Sequence, residues 1–245
     1  MSVTIPELSV VVPVCNEAEN LEPLAREIAA ALRGRASFEM IFVDDGSTDE
    51  TAAVALRARA EGLPELRLLR HSVRAGQSAA LATGVQAARA PWIGTLDGDG
   101  QNDPADLPRL LATRAAPENQ GVRLFMGHRV NRKDTGFRRI QSRIANGVRA
   151  RLLHDGTPDT GCGIKLMDRE TFLRLPYFDH MHRFLPALVQ RAGGRVVSVP
   201  VAHRPRTRGT SKYGMLGRLK AGIIDLLGVM WLIRRHRPGL TVREE

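Results

Sequence analysis

The sequence predicts an α/β fold in which helices flank a mostly parallel sheet. Short apolar runs rich in β-branched residues alternate with stretches in which apolar residues recur at helical spacing. The connections between them are short, and several apolar runs end directly in a cluster of acidic or amide residues. Such alternation is typical of βαβ units. Ligands of these sheets bind beyond the carboxyl ends of the strands, which is where the polar clusters are expected.

The first half of the chain contains four predicted strands and three predicted helices. The strands are expected at residues 8–14, 38–43, 66–69 and 92–96. The helix after the first strand is expected to reach Leu32, with Gly34 as its stop signal. Ser47 and Glu50 have the spacing of a capping box, which predicts that the second helix begins there and continues to about residue 60. A third helix is expected at residues 76–90.

The second half of the chain alternates less regularly. Helices are expected at residues 107–114, 169–175 and 178–191, and strands at residues 123–127, 160–167 and 196–201. A basic segment, residues 129–143, leads into a helix that ends near residue 153, and a basic loop with glycines occupies residues 203–214. His180 and His182 lie two positions apart on a predicted helix, so they point to different sides and do not form a chelating pair.

The last predicted helix, residues 215–233, is apolar but carries Arg218, Lys220 and Asp225 and is followed by an arginine cluster. It is too short and too charged to span a membrane. One interpretation is an amphipathic helix that lies in the membrane interface, with Trp231 near the headgroups. The other is a helix that packs on the core or on a second subunit. Residues 1–214 are thus expected to form the main domain, and residues 215–245 the C-terminal helix and basic tail.

Composition limits the possible functions. A chain of 245 residues is long enough for one large α/β domain or two small ones. The net charge of +10 favours anionic partners, while an aromatic content of only 4% argues against a base-stacking nucleic-acid platform. Cys15 and Cys162 belong to no C-x-x-C pair, which indicates reduced cytoplasmic thiols and no zinc site. Neither a signal-peptide pattern nor an apolar run of about 20 residues is found.

Two carboxylates, Asp97 and Asp99, are each followed by glycine after the fourth predicted strand. In an extended segment, residues i and i+2 point the same way, so both carboxylates are expected to face one small volume. Mg²⁺ or Mn²⁺ would relieve their repulsion and would also bind substrate phosphate oxygens. Gln101 would add a neutral oxygen on the same side. The other interpretation is a plain turn, because Asp and Gly both favour turns.

Acidic residues follow three of the predicted strands, at Glu17, Asp45 and Asp97. The carboxyl ends of parallel strands share one edge of a sheet, so these groups are expected to converge on one crevice. No G-x-G-x-x-G follows the first strand and no G-x-x-x-x-G-K-[ST] occurs, which argues against dinucleotide dehydrogenases and P-loop enzymes. The basic segment at residues 129–143 is either a solvated helix face or a phosphate-binding segment, since Arg forks match phosphate oxygens.

Five motifs occur in a characteristic order: V-V-P-V-C-N-E at residues 11–17, V-D-D-G-S-T-D at 43–49, L-D-G-D-G-Q at 96–101, G-H-R at 127–129 and R-T-R-G-T-S-K-Y-G at 206–214. With them the chain resembles the family 2 glycosyltransferases of the GT-A fold, in particular the dolichyl-phosphate mannosyltransferase branch. Two features depart from that branch. Cys15 stands where an aromatic residue is common, which leaves the nucleotide base open, and the C-terminal transmembrane helices of many prokaryotic relatives have no counterpart.

The resemblance implies a nucleoside-diphosphate sugar as the donor and suggests roles for residues of this chain. The implied nucleotide pocket consists of Pro13, Cys15, Glu17, Val43 and Asp45, and the substrate-binding set also includes Leu96 and Asp97. The implied metal ligands are Asp97, Asp99 and Gln101. Arg206 and Lys212 resemble the basic pair of a mobile loop over the phosphates, and Arg129 and Arg143 resemble the residues that receive the acceptor phosphate. The implied catalytic set is Asp97, Asp99, Arg129 and Arg143.

The resemblance implies a metal-dependent, inverting transfer of the sugar to a polyprenyl phosphate, such as undecaprenyl or dolichyl phosphate, at the cytoplasmic face of a membrane. The protein would contact that membrane peripherally through its last helix, or use the helix to bind a second copy or a membrane protein. The alternative is a saccharide or other soluble acceptor, which requires a catalytic carboxylate in the second half; Asp159, Asp168 and Asp179 are the candidates. A nucleotidyltransferase would need a basic, glycine-rich loop after the first strand, and a membrane-binding module would leave the acidic strand ends unexplained.

Overall fold

The structure is a computed structural model that describes residues 5–130, 147, 149–205 and 215–236, with side chains of the last helix described from residue 222. Three predicted site residues, Arg143, Arg206 and Lys212, lie outside the described residues, as does most of the basic segment. Residues 149–153 are helical, in agreement with the prediction for the end of that segment.

A seven-stranded sheet forms the centre of the described part of the chain. Its strands are β1 (Leu8–Val14), β2 (Phe38–Asp44), β3 (Leu66–Arg70), β4 (Trp92–Thr95), β5 (Val122–Arg129), β6 (Lys165–Asp168) and β7 (Arg195–Val201). Their order is β3-β2-β1-β4-β6-β5-β7. β6 runs antiparallel to β4 and β5, whereas the remaining neighbours are parallel. The predicted fold class, a mostly parallel sheet flanked by helices, is confirmed.

Helices cover both faces of this sheet. They are α1 (Ala18–Leu32), α2 (Thr51–Ala60), α3 (Gln77–Ala87), α4 (Asp106–Ala115), α5 (Arg169–Leu173), α6 (Leu185–Arg191) and α7 (Met215–Arg234), with 3₁₀ turns at Pro117–Asn119 and Met181–Arg183. α1, α2 and α4 share one apolar cluster with one face of the sheet, and α3, α6 and α7 share a second cluster with the opposite face. β1 and β2 are apolar almost throughout because both of their faces are covered.

The helix α3 packs unusually close to the sheet. A Cβ added at Gly84 would overlap the side chain of Val11 in β1. The glycine therefore lets α3 approach the strands, and this approach carries the N-terminus of α3 to the edge of the sheet where β1 and β2 end.

The predicted capping box of the second helix is wrong. The helix α2 begins only at Thr51, and its N-cap Glu50 makes no side-chain capping hydrogen bond. Ser47 Oγ instead accepts a hydrogen bond from the Asn16 N–H at 2.8 Å, across the ends of β1 and β2. Asp49 Oδ1 accepts from the Thr51 N–H at 3.0 Å, so a residue between the two predicted partners satisfies the start of the helix.

Two predicted elements of the second half are shorter than expected. The strand expected at residues 160–167 begins at Lys165, because the preceding carbonyl of Gly163 accepts a side-chain hydrogen bond from Thr95. The helix expected at residues 178–191 is divided into a 3₁₀ turn and α6, because His180 adopts a left-handed backbone conformation with φ of 65°. His180 and His182 therefore do not lie on one helix, and the premise used to separate them was wrong.

Candidate active site at the carboxyl ends of the parallel strands

The strands β1, β2 and β4 end at the same edge of the sheet. Val14 of β1 is level with Asp44 of β2, and the Asp45 N–H donates to the Val14 carbonyl at 2.8 Å. The parallel pairing of β1 with β4 brings the segment that begins at Leu96 to this edge as well. The three acidic strand ends predicted from the sequence therefore lie at one edge of the sheet, where the crevice is expected.

Asp45 is held by the loop that precedes α3. Its carboxylate accepts hydrogen bonds from the N–H groups of Ala75 and Gly76, both at 2.8 Å, and from His71 Nδ1 at 2.8 Å. Burial opposes ionisation, but the hydrogen bonds from Ala75, His71 and Gly76 prevail and lower the pKa of Asp45. Asp45 is therefore an oriented, ionised carboxylate that is almost fully buried at the ends of β1 and β2.

The other residues of the predicted nucleotide pocket differ in exposure. Cys15, Glu17 and Pro13 are partly exposed at the end of β1. The side chains of Val43 and Leu96 are almost fully buried in the core, so contact of either residue with a ligand would have to use its main chain.

Asp97 and Asp99 lie in a turn beyond the end of β4, not in an extended segment. Gly100 has a φ of 71°, and Asp99 Oδ1 accepts a hydrogen bond from the Gln101 N–H at 3.1 Å. The Asn102 side chain closes the turn by accepting from the Asp97 N–H at 3.0 Å. The extended geometry predicted for Asp97 and Asp99 is therefore wrong, and the segment is a turn, which Asp and Gly favour. The two carboxylates are nevertheless close enough for Asp99 to raise the pKa of Asp97.

The surroundings of Asp97 come from distant parts of the chain. Gln77, the first residue of α3, donates from Nε2 to Asp97 Oδ1 at 2.9 Å. Gly163 lies against the other side, because a Cβ added there would overlap the Asp97 carboxylate and the Asn102 side chain. Lys165 of β6 is buried and donates to the Cys162 carbonyl at 2.5 Å. It also interacts with the Asp97 carboxylate through its charge.

Burial dominates the electrostatics of this turn. It raises the pKa of Asp97; Lys165, Gln77 and Arg129 counteract the rise, and Asp99 adds to it. Burial likewise lowers the pKa of Lys165, although Asp97 counteracts that shift. Additional positive charge near Asp97 would therefore favour its ionised form.

The donor set at this turn fits a divalent cation that is shared with a phosphate ligand. Among the described residues, no three His, Cys, Asp or Glu side chains are grouped as metal ligands. Mg²⁺ commonly takes one or two carboxylates from the protein and its remaining oxygens from water and substrate phosphates. The two carboxylates of Asp97 and Asp99 match that demand, and the close approach of Gly163 leaves the Asp97 carboxylate no room to turn away from the crevice.

Arg129 and Asp159 form a partly buried ion pair beside this turn. Arg129 donates from Nε to Asp159 Oδ2 at 2.7 Å and from Nη2 to Oδ1 at 2.8 Å, which is a bidentate geometry. Although burial opposes it, the hydrogen bonds to Asp159 raise the pKa of Arg129. A predicted acceptor-binding arginine and one candidate base of the soluble-acceptor alternative thus contact each other.

The remaining two candidates for a catalytic carboxylate, Asp168 and Asp179, lie in different places. Asp168 is level with Trp92, at the opposite edge of the sheet, and its Oδ1 caps α5 by accepting from the Thr171 N–H at 2.8 Å. The exposed Asp179 accepts from the His180 N–H through Oδ1 at 2.8 Å. Asp168 is therefore remote from the crevice, whereas Asp179 Oδ1 lies 3.5 Å from where a Cβ on Gly76 would be, beside the start of α3.

The chain after β7 is anchored at the Asp97 turn. His203 forms an isolated antiparallel bridge with Asn102, and the Arg204 N–H donates to the Gln101 carbonyl at 3.0 Å. The Arg204 side chain pairs with Glu27 at 2.6 Å and with Asp103 at 2.8 Å. The basic loop that contains Arg206 and Lys212 therefore starts beside the candidate metal ligands.

Gln77 and Lys165 were not predicted from the sequence. Gln77 starts a helix, and Lys165 lies in an apolar strand; neither position carries a motif that indicates a contact with Asp97. These contacts bridge 20 or more positions along the chain, and only the packing of α3 and β6 against the end of β4 brings them together.

The helix α7 packs one face on the core, in agreement with one of the two interpretations, and exposes an apolar face on the other side. Val229 is fully buried, Leu226 and Met230 pack on the core, and Asp225 pairs with His180 Nδ1 at 2.9 Å. The opposite face exposes Ile223, Ile224, Leu227 and Trp231, each by more than half. Within the described residues, no helix has the length and apolarity needed to cross a membrane.

Comparisons with known proteins agree with this architecture. The family model for glycosyl transferase family 2 matches residues 9–175. A dodecaprenyl-phosphate galacturonate synthase from Rhizobium johnstonii is 39% identical, over 95% of this chain and 69% of the relative. An undecaprenyl-phosphate 4-deoxy-4-formamido-L-arabinose transferase from Edwardsiella ictaluri is 32% identical, over 87% of this chain and 65% of the relative. The chain thus spans about two thirds of the length of these relatives.

Solved structures share the fold at low sequence identity. A mannosyltransferase from Pyrobaculum calidifontis in complex with GDP-Man and Mn²⁺ superposes with a TM-score of 0.69 at 22% identity, over 96% of this chain and 66% of that chain. Glucosyl-3-phosphoglycerate synthase from M. tuberculosis superposes with a TM-score of 0.68 at 20% identity, over 92% of this chain and 80% of that chain. The GT-A fold expected from the sequence is therefore confirmed.

Proposed function

Because the chain belongs to glycosyl transferase family 2, we propose that it transfers a sugar from a nucleoside-diphosphate sugar to a polyprenyl phosphate. The proposal rests on the position of the Asp97–Asp99 turn, which lies at the strand ends beside the basic residues Arg129 and Lys165. The named relatives support the acceptor class, since their names describe transfer to dodecaprenyl or undecaprenyl phosphate.

The donor would bind along the ends of β1 and β2. Pro13, Cys15 and Glu17 border this part of the crevice, and the ionised Asp45 offers an oriented acceptor for N–H or O–H groups of the nucleoside. The main chain at Val43 and Leu96 would form the floor, because the side chains of both residues are buried.

Asp97 and Asp99 would hold Mg²⁺ or Mn²⁺, with the side chain of Gln101 as a further oxygen donor. When bound, the cation offsets the negative charge that develops on the leaving diphosphate. The mannosyltransferase from Pyrobaculum calidifontis was solved with Mn²⁺ and a sugar nucleotide, which supports this assignment. Arg206 and Lys212, on the loop that starts beside Gln101, would add positive charge to the same phosphates.

The acceptor phosphate would bind on the Arg129 side of the turn, together with Arg143. An acceptor phosphate is already anionic at neutral pH, so it needs orientation more than it needs a general base. Asp159 engages Nε and Nη2 of Arg129, which fixes the guanidinium and directs an incoming phosphate toward Nη1. The same ion pair disfavours Asp159 as the base of the soluble-acceptor alternative, because both Asp159 oxygens already accept from Arg129.

The exposed face of α7 would contact the membrane in which the acceptor lies. Ile223, Ile224, Leu227 and Trp231 form this face, and Arg234 and Arg235 follow at the end of the helix. An apolar face with adjacent arginines fits the interface of an anionic membrane. The protein would then act peripherally on the cytoplasmic side, and a second copy or a membrane protein is the other candidate for this face.

The direct test is transfer by the purified full chain. It is incubated with undecaprenyl phosphate, Mn²⁺ and a panel of radiolabelled nucleotide sugars, and labelled lipid is extracted and counted. Asp99→Asn should reduce transfer at least a hundredfold while leaving the thermal midpoint unchanged, because the substitution removes a charged metal ligand. Glu118→Gln, at an exposed acid far from the turn, serves as the control. Full activity of Asp99→Asn would reject the metal site.

A further inference from the structure

The start of α3 and the two residues before it contact Asp45, Asp97 and His182. The N–H groups of Ala75 and Gly76 donate to Asp45, Gln77 donates to Asp97, and Ser78 Oγ lies 2.8 Å from His182 Nδ1. Three different strand ends or loops are thus bound by four consecutive residues. The proposed function assigns Asp45 to the donor and Asp97 to the metal, but it assigns nothing to the side chain of Gln77.

The backbone around Gln77 is tightly defined. Gly76, directly before it, has a φ of 93°, a conformation that side-chain-bearing residues rarely adopt. The preceding loop packs on Gly46, where an added Cβ would lie 2.7 Å from the Arg74 nitrogen. Because Asp45 also binds this loop, the main chain at Gln77 has a fixed position on the rim of the crevice.

The hydrogen bond to Asp97 has a defined direction. An ionised carboxylate only accepts hydrogen bonds, so the amide nitrogen of Gln77 faces Oδ1 and stabilises the charged form. Gly163 lies against Oδ2, and the Asn102 side chain holds the Asp97 main chain. The hydrogen bond from Gln77 therefore fixes the rotation of the Asp97 carboxylate on the side that faces the crevice.

From this geometry we propose that Gln77 is a positioning residue that orients the Asp97 carboxylate for binding the divalent cation. The inference rests on the proposed function, since it requires Asp97 to be a metal ligand. Groups that hydrogen-bond a metal ligand fix its orientation, and removing one typically weakens metal binding 10- to 100-fold. Gln77 is exposed, so its replacement does not disturb the core.

The test measures Mn²⁺ affinity of the full chain from the electron paramagnetic resonance signal of free Mn²⁺, in the presence of UDP and, separately, GDP. Gln77→Met keeps the length of the side chain but cannot donate to Asp97, and it should raise the Kd for Mn²⁺ about tenfold. Gln86→Met is the matched control, because Gln86 is an exposed glutamine on the same helix, and it should bind Mn²⁺ like the wild type. Thermal melts establish that both variants are folded.

The outcomes separate this inference from the proposed function. If the wild type binds Mn²⁺ in an Asp97-dependent manner and Gln77→Met stays within twofold of it, Gln77 is not a positioning residue. A Gln77→Met variant with weaker nucleotide binding but unchanged Mn²⁺ affinity would also overturn the inference, since it would make Gln77 a direct donor contact. If wild-type and Asp97→Asn proteins bind Mn²⁺ equally, the metal site of the proposed function fails, and the inference fails with it.

Discussion

At the scale of single residues, adjacent carboxylates have different tasks. The buried Asp44 forms hydrogen bonds within the fold: its carboxylate accepts from the Ser47 N–H at 2.8 Å and from Arg70 Nε at 3.0 Å. Its neighbour Asp45 is held by the loop before α3, at the edge of the sheet where the donor is proposed to bind. Because successive residues of a strand point to opposite sides, one carboxylate supports the fold and the other borders the site.

Gly163 provides a test at this scale. Its Cα lies so close to the Asp97 turn that an added methyl group would overlap both Asp97 and Asn102. We expect Gly163→Ala to lower the free energy of unfolding by about 1–3 kcal/mol and to abolish transfer, because overpacking forces neighbouring atoms apart. Denaturant titration and the radiolabel assay measure the two effects.

The control is Gly228→Ala, at a helical glycine with open space around it. It should leave transfer unchanged. If Gly163→Ala kept full activity and wild-type stability, the turn would not depend on this close packing.

At the scale of elements, two features determine what the crevice can bind. Because β6 is antiparallel to β4, it begins beside the end of β4 and places Gly163 and Lys165 there. A parallel strand in this position would begin at the opposite edge of the sheet. The helix α7 packs one face on the core through Val229 and leaves the other face exposed. It is thus fixed to the domain while it presents an apolar surface.

The exposed face of α7 should carry the membrane contact. We expect Leu227→Glu to reduce co-sedimentation with vesicles of phosphatidylglycerol and phosphatidylcholine at least fivefold, since it places a charge within the apolar face that faces anionic lipid. A point substitution is preferable to truncation of the helix, which would also remove the buried Val229. Leu173→Glu, at an exposed leucine of α5, is the control.

Unchanged vesicle binding of Leu227→Glu would contradict membrane contact through this face. Light scattering on the same proteins addresses the other candidate. A change from dimer to monomer in Leu227→Glu, with vesicle binding retained, would identify the face as a subunit contact.

At the scale of the whole molecule, a partly buried histidine joins the two halves of the chain. His182 and its hydrogen-bond partner Ser78 are 104 positions apart, and both are buried or nearly so between α3 and the Met181–Arg183 turn. Burial, with further repulsion from Lys165, Arg183 and His180, lowers the pKa of His182 to about 3. The folded protein therefore keeps this imidazole neutral at any pH near 7.

This histidine makes the stability of the fold depend on pH. Below pH 6.5 the unfolded chain binds a proton at His182 that the folded chain excludes until about pH 3, so stability falls as the pH falls through this range. Between pH 7.5 and pH 5 the expected loss from His182 is about 2 kcal/mol. The measurement is the free energy of unfolding in urea at several pH values.

His182→Asn should remove that part of the pH dependence, while His154→Asn, at an exposed histidine, should retain it. Parallel pH profiles for the wild type and His182→Asn would show that His182 is not held neutral in the fold.

The sequence by itself determined the alternating architecture, the acidic residues at three strand ends and the basic character that favours anionic partners. These features depend on local apolar periodicity and on composition, which can be read from neighbouring residues. The family motifs likewise lie in short contiguous segments, so the membership in glycosyl transferase family 2 could be anticipated.

Only the tertiary structure decided how the strand ends are completed. The donation from Gln77, the close approach of Gly163 and the pairing of Arg129 with Asp159 each join residues 20 or more positions apart. The turn at Asp97 is closed by local hydrogen bonds and is the one part of the site that Asp and Gly indicate by themselves. The division of the predicted helix at His180 has the same origin, because Asp225 of α7 and the packing around Ser78 hold that segment. Contacts between distant segments outweigh local propensity here, and no local pattern in the sequence encodes which distant segments will meet.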